Sequence, residues 1–244
     1  FIYDTENLFS TDTYCSIEDK CGTCDGDGWY NGLSCDDIFI LQQIIDANDF
    51  SVIQSALNEI VYHTWDINTN SVIEPTEFGA QNWSKDGRLI YLKVDLPIIL
   101  TDDIGDLTEL RELIFETSGL TAIPETIGNL QKLNILNITS NPISLLPARI
   151  IELTNLEELL ISKNNIIDLP ENIGNLTKLT RLDASYNILD TLPESISSLN
   201  QLTDLFLENN QINALPASFS DLSSLIELKL NNNKLEIIPD NFEA

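Results

Sequence analysis

Four cysteines are the residues whose chemistry follows most directly from their type and spacing. They stand at Cys15, Cys21, Cys24 and Cys35, within 21 positions of one another, and the rest of the chain contains none. An even, clustered set in an acidic, loop-like segment is typical of disulfide bonds formed in an oxidising compartment. A four-cysteine zinc site is the alternative, but such sites usually carry two Cys-x-x-Cys pairs and this segment has one. We therefore predict disulfide bonds, with three possible pairings.

A second segment with metal-binding chemistry covers residues 66–77, a polar, asparagine-rich stretch that resembles the EF-hand calcium loop. The resemblance lies in the spacing of its oxygen-bearing residues and in the aromatic residues Tyr62 and Trp65 just ahead of it. It implies a set of oxygen ligands for calcium, to which Val72 would contribute its carbonyl. The implied ligands are Asp66, Asn68, Asn70, Val72, Glu74 and Glu77.

The segment departs from the EF-hand pattern at Ser71, which occupies the position of the usual glycine, and no second EF-hand follows. A chance match in an Asp- and Asn-rich chain is therefore the alternative. Only Asp66 and Glu74 are charged among the implied side-chain ligands ahead of Glu77, so we expect the weak affinity of extracellular calcium modules. Ca²⁺ is the only cofactor that the sequence suggests, in a structural role.

Catalytic residue patterns are absent from the sequence. The single histidine, His63, lies beside Tyr62 on a predicted helix and has no nucleophile partner in a known motif. No phosphate-binding loop or Gly-x-Gly-x-x-Gly motif occurs. With 39 acidic residues, no carboxylate pair can be singled out for glycosidase-like chemistry. We therefore predict that the protein is not an enzyme.

The chain is strongly acidic, with a net charge of −27 from 39 acidic and 12 basic residues. Such a surface repels nucleic acid and anionic lipid, so neither is an expected partner. No apolar run approaches the ~20 residues that cross a bilayer, so we expect no membrane insertion. The chain begins at Phe1 with no signal peptide, which we interpret as a mature or trimmed product. The cysteines, and the likeness of residues 19–28 to short segments of secreted surface proteins, favour an extracellular or cell-surface location.

An internal repeat of 23 residues organises the rest of the chain. Its alternating apolar residues predict a short strand whose inward side chains fill a core. An asparagine after the strand is placed to bond backbone groups of the turn, and a proline opens the outer segment. Because no unit buries its apolar face alone, the units must stack. The first leucines are Leu110, Leu133, Leu156, Leu179, Leu202 and Leu225; the asparagines are Asn141, Asn164, Asn187, Asn210 and Asn233; the prolines are Pro124, Pro147, Pro170, Pro193, Pro216 and Pro239.

This pattern resembles the leucine-rich-repeat superfamily over roughly residues 86–244. The resemblance implies an α/β solenoid, a horseshoe of about seven repeats with a parallel sheet on its concave face, and a role in protein recognition. Ser118 and Asp95 replace the asparagine in the first two units, the earlier of which is expected to run in the same register through Ile90 and Leu92. We expect the N-terminal end of the solenoid to be less regular.

The residues before the repeats are predicted to cover the first coil. Within them, we expect one helix after Asp36 and Asp37 and a second from Ser51. Residues 78–83 and 89–94 are expected to form a hairpin that leads into the first repeat strand. A cysteine-rich, disulfide-stapled segment and a helical cap with the EF-hand-like loop are assigned to residues 1–36 and 37–85.

One side chain of each repeat strand is predicted to project from the concave sheet. Three of these residues are apolar and three are polar, and Tyr186 lies nearby. Exposed Ile, Leu and Phe side chains are suitable anchors for a partner, although scattered apolar surface residues are also ordinary. The predicted concave residues are Ile114, Asn137, Leu160, Asp183, Phe206 and Lys229.

Three Asn-x-Ser/Thr triplets are candidate glycosylation sites, at Asn82, Asn137 and Asn175. A sugar on Asn137 would stand on the concave sheet and obstruct it. We predict an extracellular protein-recognition or adhesion module that binds a protein partner through this concave face. The alternative is a structural subunit that self-assembles into a filament or surface assembly through its C-terminal edge and an N-terminal arm.

Overall fold

A sheet of eight strands dominates the computed structural model, which describes residues 29–30, 33–48 and 79–236. The strands follow one another across the sheet in chain order, and every pair after the first is parallel. This arrangement confirms the predicted α/β solenoid with a parallel sheet along one face. In chain order the elements are β1 (Trp29–Tyr30), β2 (Leu33–Ser34), α1 (Cys35–Asp46), β3 (Ala80–Trp83), β4 (Leu89–Lys93), β5 (Glu112–Ile114), β6 (Ile135–Asn137), β7 (Glu158–Leu160), β8 (Arg181–Asp183), β9 (Asp204–Phe206) and β10 (Glu227–Lys229).

The hairpin predicted ahead of the repeats is present as β3 and β4, which pair antiparallel with an irregularity at Trp83. Strands β1 and β2 form a separate antiparallel pair. Opposite the sheet, each repeat makes a short 3-10 helix. These helices are Asp102–Asp106, Glu125–Asn129, Ala148–Glu152, Ile173–Asn175, Glu194–Ser198 and Phe219–Asp221.

The core lies between the sheet and the 3-10 helices, where the inward leucine and isoleucine columns meet. The prolines begin the outer segments as predicted, and their carbonyls accept the first turn's hydrogen bond in the last five 3-10 helices, whereas the Thr101 carbonyl does so in the first. The Pro147 carbonyl, for example, accepts the Ile150 N–H at 3.1 Å, and Ile150 is fully buried. A fixed φ at proline therefore aims the chain back toward the core.

The asparagine column forms a buried ladder of hydrogen bonds between neighbouring coils. The Asn164 side chain accepts the Ile143 N–H at 3.2 Å from the coil below. Its Nδ2 donates to the Ile138 and Ile161 carbonyls, both at 3.0 Å. Asn141, Asn187 and Asn210 make the equivalent contacts. These amides satisfy backbone groups that the turn would otherwise bury without partners.

The first coil differs from the prediction. Leu92 pairs with Leu113, so this coil is 21 residues long, and the expected 23-residue register through Ile90 is wrong by two positions. Asp95 is exposed and does not stand in the ladder. Ser118 does, because it is buried and its hydroxyl donates to the Val94 carbonyl at 2.5 Å.

Helix α1 packs on the first coil and is tied to it by a buried carboxylate. The predicted apolar face is buried in the common core, and Asp36 and Asp37 lie in the first turn of the helix. Asp37 is fully buried and accepts hydrogen bonds from the Arg88 guanidinium at 2.9–3.1 Å and from the Leu89 N–H at 2.7 Å. The hydrogen bond to Asp37 raises the pKa of Arg88 above its ordinary value. At the other end of α1, Asn48 bonds both backbone groups of Ile99.

Candidate functional site on the concave sheet

The concave face is made by the two end residues of each repeat strand. In β5 to β8 the central leucine is fully buried, whereas the residues on either side of it are half-buried and point away from the core. The parallel register sets equivalent residues of adjacent strands about 4.8 Å apart, in two columns. The first column is Tyr91, Glu112, Ile135, Glu158, Arg181, Asp204 and Glu227; the second is Lys93, Ile114, Asn137, Leu160, Asp183, Phe206 and Lys229.

Three neighbouring apolar side chains stand on strands β5 to β7 and form what we call the apolar patch: Ile114, Ile135 and Leu160. The register places Asn137 directly between Ile114 and Leu160, and Ile135 lies two residues before Asn137 on the same strand. All four are half-buried. The Asn137 Oδ1 accepts the Thr139 N–H at 3.0 Å, which orients the amide within the patch. The patch therefore offers accessible apolar surface on a fixed backbone.

The other end of the face, strands β8 to β10, forms what we call the charged half. Its polar side chains bond one another or nearby backbone. The Asp183 Oδ1 accepts both the N–H and the hydroxyl of Ser185, at 3.1 and 2.7 Å. Lys229 and Glu227 form an ion pair at 3.0 Å. Several charged groups of this half therefore already have partners within the face itself.

Phe206 belongs to this charged half, and the expectation that it is an exposed anchor is wrong. Its side chain is only 6% exposed. The Arg181 guanidinium lies 5.0 Å from the ring centroid, and the Lys229 ammonium lies 4.1 Å from it. Both distances are in the range of cation–π contacts. Long cationic side chains from the strands on either side therefore cover the ring and remove it from solvent.

The rim of the concave face has an unusual backbone conformation at one position in each coil. There the residue adopts a left-handed φ although it is not glycine, and the strain of this conformation is least for asparagine. Tyr186, with φ 54°, is one of them, and its side chain is 51% exposed. The full row is Thr117, Ser140, Lys163, Tyr186, Asn209 and Asn232.

The remaining predicted site residues are placed as follows. Asn82 is exposed on β3, and Asn175 is exposed at the end of a convex 3-10 helix. Cys35 begins α1, whereas the other three cysteines, the second predicted helix and the six implied calcium ligands lie outside the described residues. Within the described ranges, no group of three or more His, Cys, Asp or Glu side chains is arranged to hold a metal ion. No helix in those ranges has the length and apolar character needed to cross a membrane.

Ile135 is a concave residue that the sequence analysis missed. It stands in the first column, and only the second column was considered. The signal was present in the repeat, because two residues per strand alternate with the buried leucine and both must face outward. Without Ile135, Ile114 and Leu160 look like isolated apolar residues with a polar residue between them.

Comparisons with known proteins agree with this architecture. A family model described as a leucine-rich repeat region matches residues 97–188, and a second, described as a leucine rich repeat, matches residues 178–199 and 224–244. No match was found among curated proteins. Together with the stacked 23-residue coils, the two family matches show that this chain is a leucine-rich-repeat protein.

Three solved structures illustrate the shared fold. The crystal structure of PEPR1-AtPEP1 is 29% identical over 82% of this chain and 28% of its own, with a TM-score of 0.68. A TDR receptor is 30% identical over 61% of this chain and 27% of its own, with a TM-score of 0.56. The plant peptide hormone receptor RGFR1 in complex with RGF2 is 26% identical over 63% and 30%, with a TM-score of 0.50. The present chain therefore spans less than a third of the length of each.

Proposed function

We propose that this protein is a recognition module, rather than an enzyme, that binds a protein or peptide partner on its concave sheet, with the apolar patch as the main contact. The observation that carries the proposal is the grouping of Ile114, Ile135 and Leu160 around Asn137 on a face whose other residues are mostly charged. Accessible apolar side chains grouped on a rigid surface, with polar residues around them, are typical of binding hot spots.

The receptor neighbours support a protein or peptide partner, since RGFR1 is a peptide hormone receptor in complex with RGF2. Their use as receptors and the cysteine cluster together support an extracellular or cell-surface location for this chain. Weak calcium binding at residues 66–77 and disulfide bonds among the four cysteines remain part of this proposal. A loss of thermal stability on adding EDTA would indicate calcium binding, and a loss on adding a reductant would indicate the disulfide bonds.

The apolar patch is favoured over the charged half as the binding surface because its apolar side chains are more accessible to a partner. A partner that approaches Phe206 must first displace Arg181 and Lys229, which costs their contacts with the ring. Only the short Asn137 stands between Ile114 and Leu160 in their column, with Lys93 on the far side of Ile114 and Asp183 on the far side of Leu160. Both apolar residues are half-buried and therefore more exposed than Phe206. Binding energy is therefore expected to concentrate on the patch.

The test uses peptides selected from a random phage-displayed library on the wild-type chain. The patch variant carries Ile114→Asn, Ile135→Arg and Leu160→Asn, which copy the residues that Asn137 and Arg181 place in the same two columns of other coils. Since the fold already accepts these residues there, the variant should remain folded, as circular dichroism would verify. We expect the selected peptides to bind the variant at least tenfold more weakly.

The matched control places the same residue types in the charged half, through Asp183→Asn and Asp204→Arg, and should bind within about twofold of wild type. Equal loss of binding in both variants, or unchanged binding in the patch variant, would contradict the proposal. Sedimentation of the wild-type chain separates the recognition module from the alternative, a structural subunit. Large, fast-sedimenting assemblies would favour the structural subunit.

A further inference from the structure

A second group of exposed apolar side chains lies on the side of the solenoid, between the asparagine ladder and the convex 3-10 helices. It consists of Leu145, Ile167 and Ile188, whose side chains are 64%, 43% and 39% exposed, and we call it the lateral stripe. Tyr186, in the same coil as Ile188, is 51% exposed and continues the stripe onto the concave rim. None of these residues belongs to the apolar patch.

Backbone hydrogen bonds between coils show that the lateral stripe is continuous. The Ile167 N–H donates to the Ser144 carbonyl at 3.3 Å, which brings Ile167 beside Leu145. The Ile188 N–H donates to the Ile166 carbonyl at 3.0 Å, which brings Ile188 beside Ile167. With each successive coil the apolar residue stands one or two positions closer to the ladder asparagine. The three side chains therefore form a diagonal line across three coils.

The fold does not require large apolar residues at these positions. The position of Leu145 is occupied by Thr191 two coils further on, and that of Ile167 by Asn213. Gln211 occupies the position of Ile188 one coil further on. Polar residues thus serve equally well in the same backbone, and the exposed apolar surface is unfavourable in water unless a partner covers it.

Carboxylates line the stripe. Asp168 stands at the position of Leu145 one coil further on, and Asp190 stands at that of Ile167. Both are exposed, and neither forms an ion pair with any residue that the structure describes. The two unpaired carboxylates therefore lie beside the apolar line, one residue after Ile167 and two residues after Ile188.

We propose that the lateral stripe binds an extended segment of a partner protein in which apolar and basic residues alternate. Successive side chains of an extended segment point to opposite sides, which lets apolar residues contact Leu145 and Ile167 while basic residues reach Asp168 and Asp190. A second copy of this chain is disfavoured, because it would bring two carboxylate-lined stripes together on chains that each carry a net charge of −27.

The probe is an eight-residue peptide of alternating valine and lysine, with an alternating valine and glutamate peptide as its counterpart, measured by fluorescence anisotropy at low salt. The wild-type chain is expected to bind the lysine peptide and not the glutamate peptide. Leu145→Thr/Ile167→Asn/Ile188→Gln removes the apolar groups with residues that the repeat already accepts, and should weaken binding at least tenfold. Asp168→Asn/Asp190→Asn removes the two charges without changing their shape and should have a similar effect.

A charge-matched control separates a local site from general attraction to an acidic protein. Glu171→Gln/Asp221→Asn removes two exposed carboxylates elsewhere and should leave binding unchanged, as should the concave patch variant. If all of these variants bind the lysine peptide equally, the stripe is not a site. If the wild-type chain dimerises and Leu145→Thr/Ile167→Asn/Ile188→Gln is monomeric, the occupant is a second copy and the proposal is wrong.

Discussion

The apolar patch on strands β5 to β7 and the charged half on strands β8 to β10 lie on one continuous sheet with the same register and a central leucine in every strand, which is fully buried from β5 to β9. Both halves contain a large apolar side chain in the second column, Leu160 in one and Phe206 in the other. Leu160 has the short Asn137 on one side, whereas Phe206 lies between Asp183 and Lys229 and under Arg181. What a solenoid offers a partner is thus decided by the length and charge of the neighbours in adjacent coils.

The largest expected effect comes from the asparagine ladder next to the apolar patch, where Asn164 links the coils of β6 and β7. Asn164→Ala would leave the buried Ile143 N–H without its acceptor and would remove the bonds to the Ile138 and Ile161 carbonyls, although the Ile138 carbonyl keeps the Asn141 amide at 2.9 Å. We expect a loss of about 3 kcal/mol in the free energy of unfolding in urea. Asn165→Ala removes an exposed neighbour of the same type and should change it by less than about 0.5 kcal/mol. A similar loss in both variants would disprove the role given to the ladder.

A pair of truncations separates stability from binding in the two halves. Phe206→Ala removes a buried ring and both cation contacts, so it should lower the free energy of unfolding by about 2 kcal/mol. Leu160→Ala removes a half-buried side chain and should cost about 1 kcal/mol. For the affinity of a selected peptide we expect the opposite order: Leu160→Ala should weaken peptide binding more than Phe206→Ala does. The comparison fails if Phe206→Ala loses more binding at temperatures where both variants are folded.

At the left-handed positions of the rim we predict one substitution that stabilises the fold, next to the apolar patch, and the reverse substitution that destabilises it, in the charged half. Lys163 has φ 54°, whereas the equivalent Asn209 has φ 57° and a side chain that tolerates this region. Lys163→Asn is therefore expected to raise the free energy of unfolding by up to about 1 kcal/mol, and Asn209→Lys to lower it by a similar amount. Thermal unfolding monitored by circular dichroism would detect both. Shifts of the same sign in the two variants would be incompatible with this explanation.

The smallest effect concerns the convex side behind the patch, where Arg149 and Glu152 form an exposed ion pair at 2.9 Å. The hydrogen bond from Arg149 lowers the pKa of Glu152 below its ordinary value. A carboxylate whose pKa is lower in the folded state contributes stability above its ordinary pKa and loses it as the pH falls through the lowered value. The Glu152 carboxyl should therefore titrate at lower pH than a free glutamate in an NMR titration. Arg149→Ala should return the pKa of Glu152 to its ordinary value. A titration midpoint of Glu152 that is the same in this variant as in the wild type would contradict the ion pair.

The sequence was sufficient for the parts of the fold that depend on one residue at a fixed spacing. Asn164 and Pro147 could be assigned to the ladder and the outer segment because each has the same neighbours in every coil. The burial of Phe206 could not be predicted, since it depends on the lengths of Arg181 and Lys229 and on how they lie over the ring. The contact between Asp37 and Arg88 joins residues 51 positions apart and leaves no periodic signal.

The candidate surfaces show the same limit. The second concave column was predicted residue by residue, but Ile135 completes the apolar patch from the first column. The lateral stripe is even less visible in the sequence, because Leu145, Ile167 and Ile188 stand at three different positions of the repeat. They become neighbours only through the hydrogen bonds between coils. Surfaces that cross the repeats diagonally therefore require the structure.

Methyl NMR of the isoleucine- and leucine-labelled chain, titrated with a peptide selected on the wild type, tests the central claim most directly. The claim predicts that the largest shift changes fall on the methyl groups of Ile114, Ile135 and Leu160. The methyls of Leu145, Ile167 and Ile188, which lie on the side of the solenoid, serve as internal controls, and their chemical shifts should not change. Shifts confined to those lateral methyls, or to neither group, would contradict recognition through the concave patch.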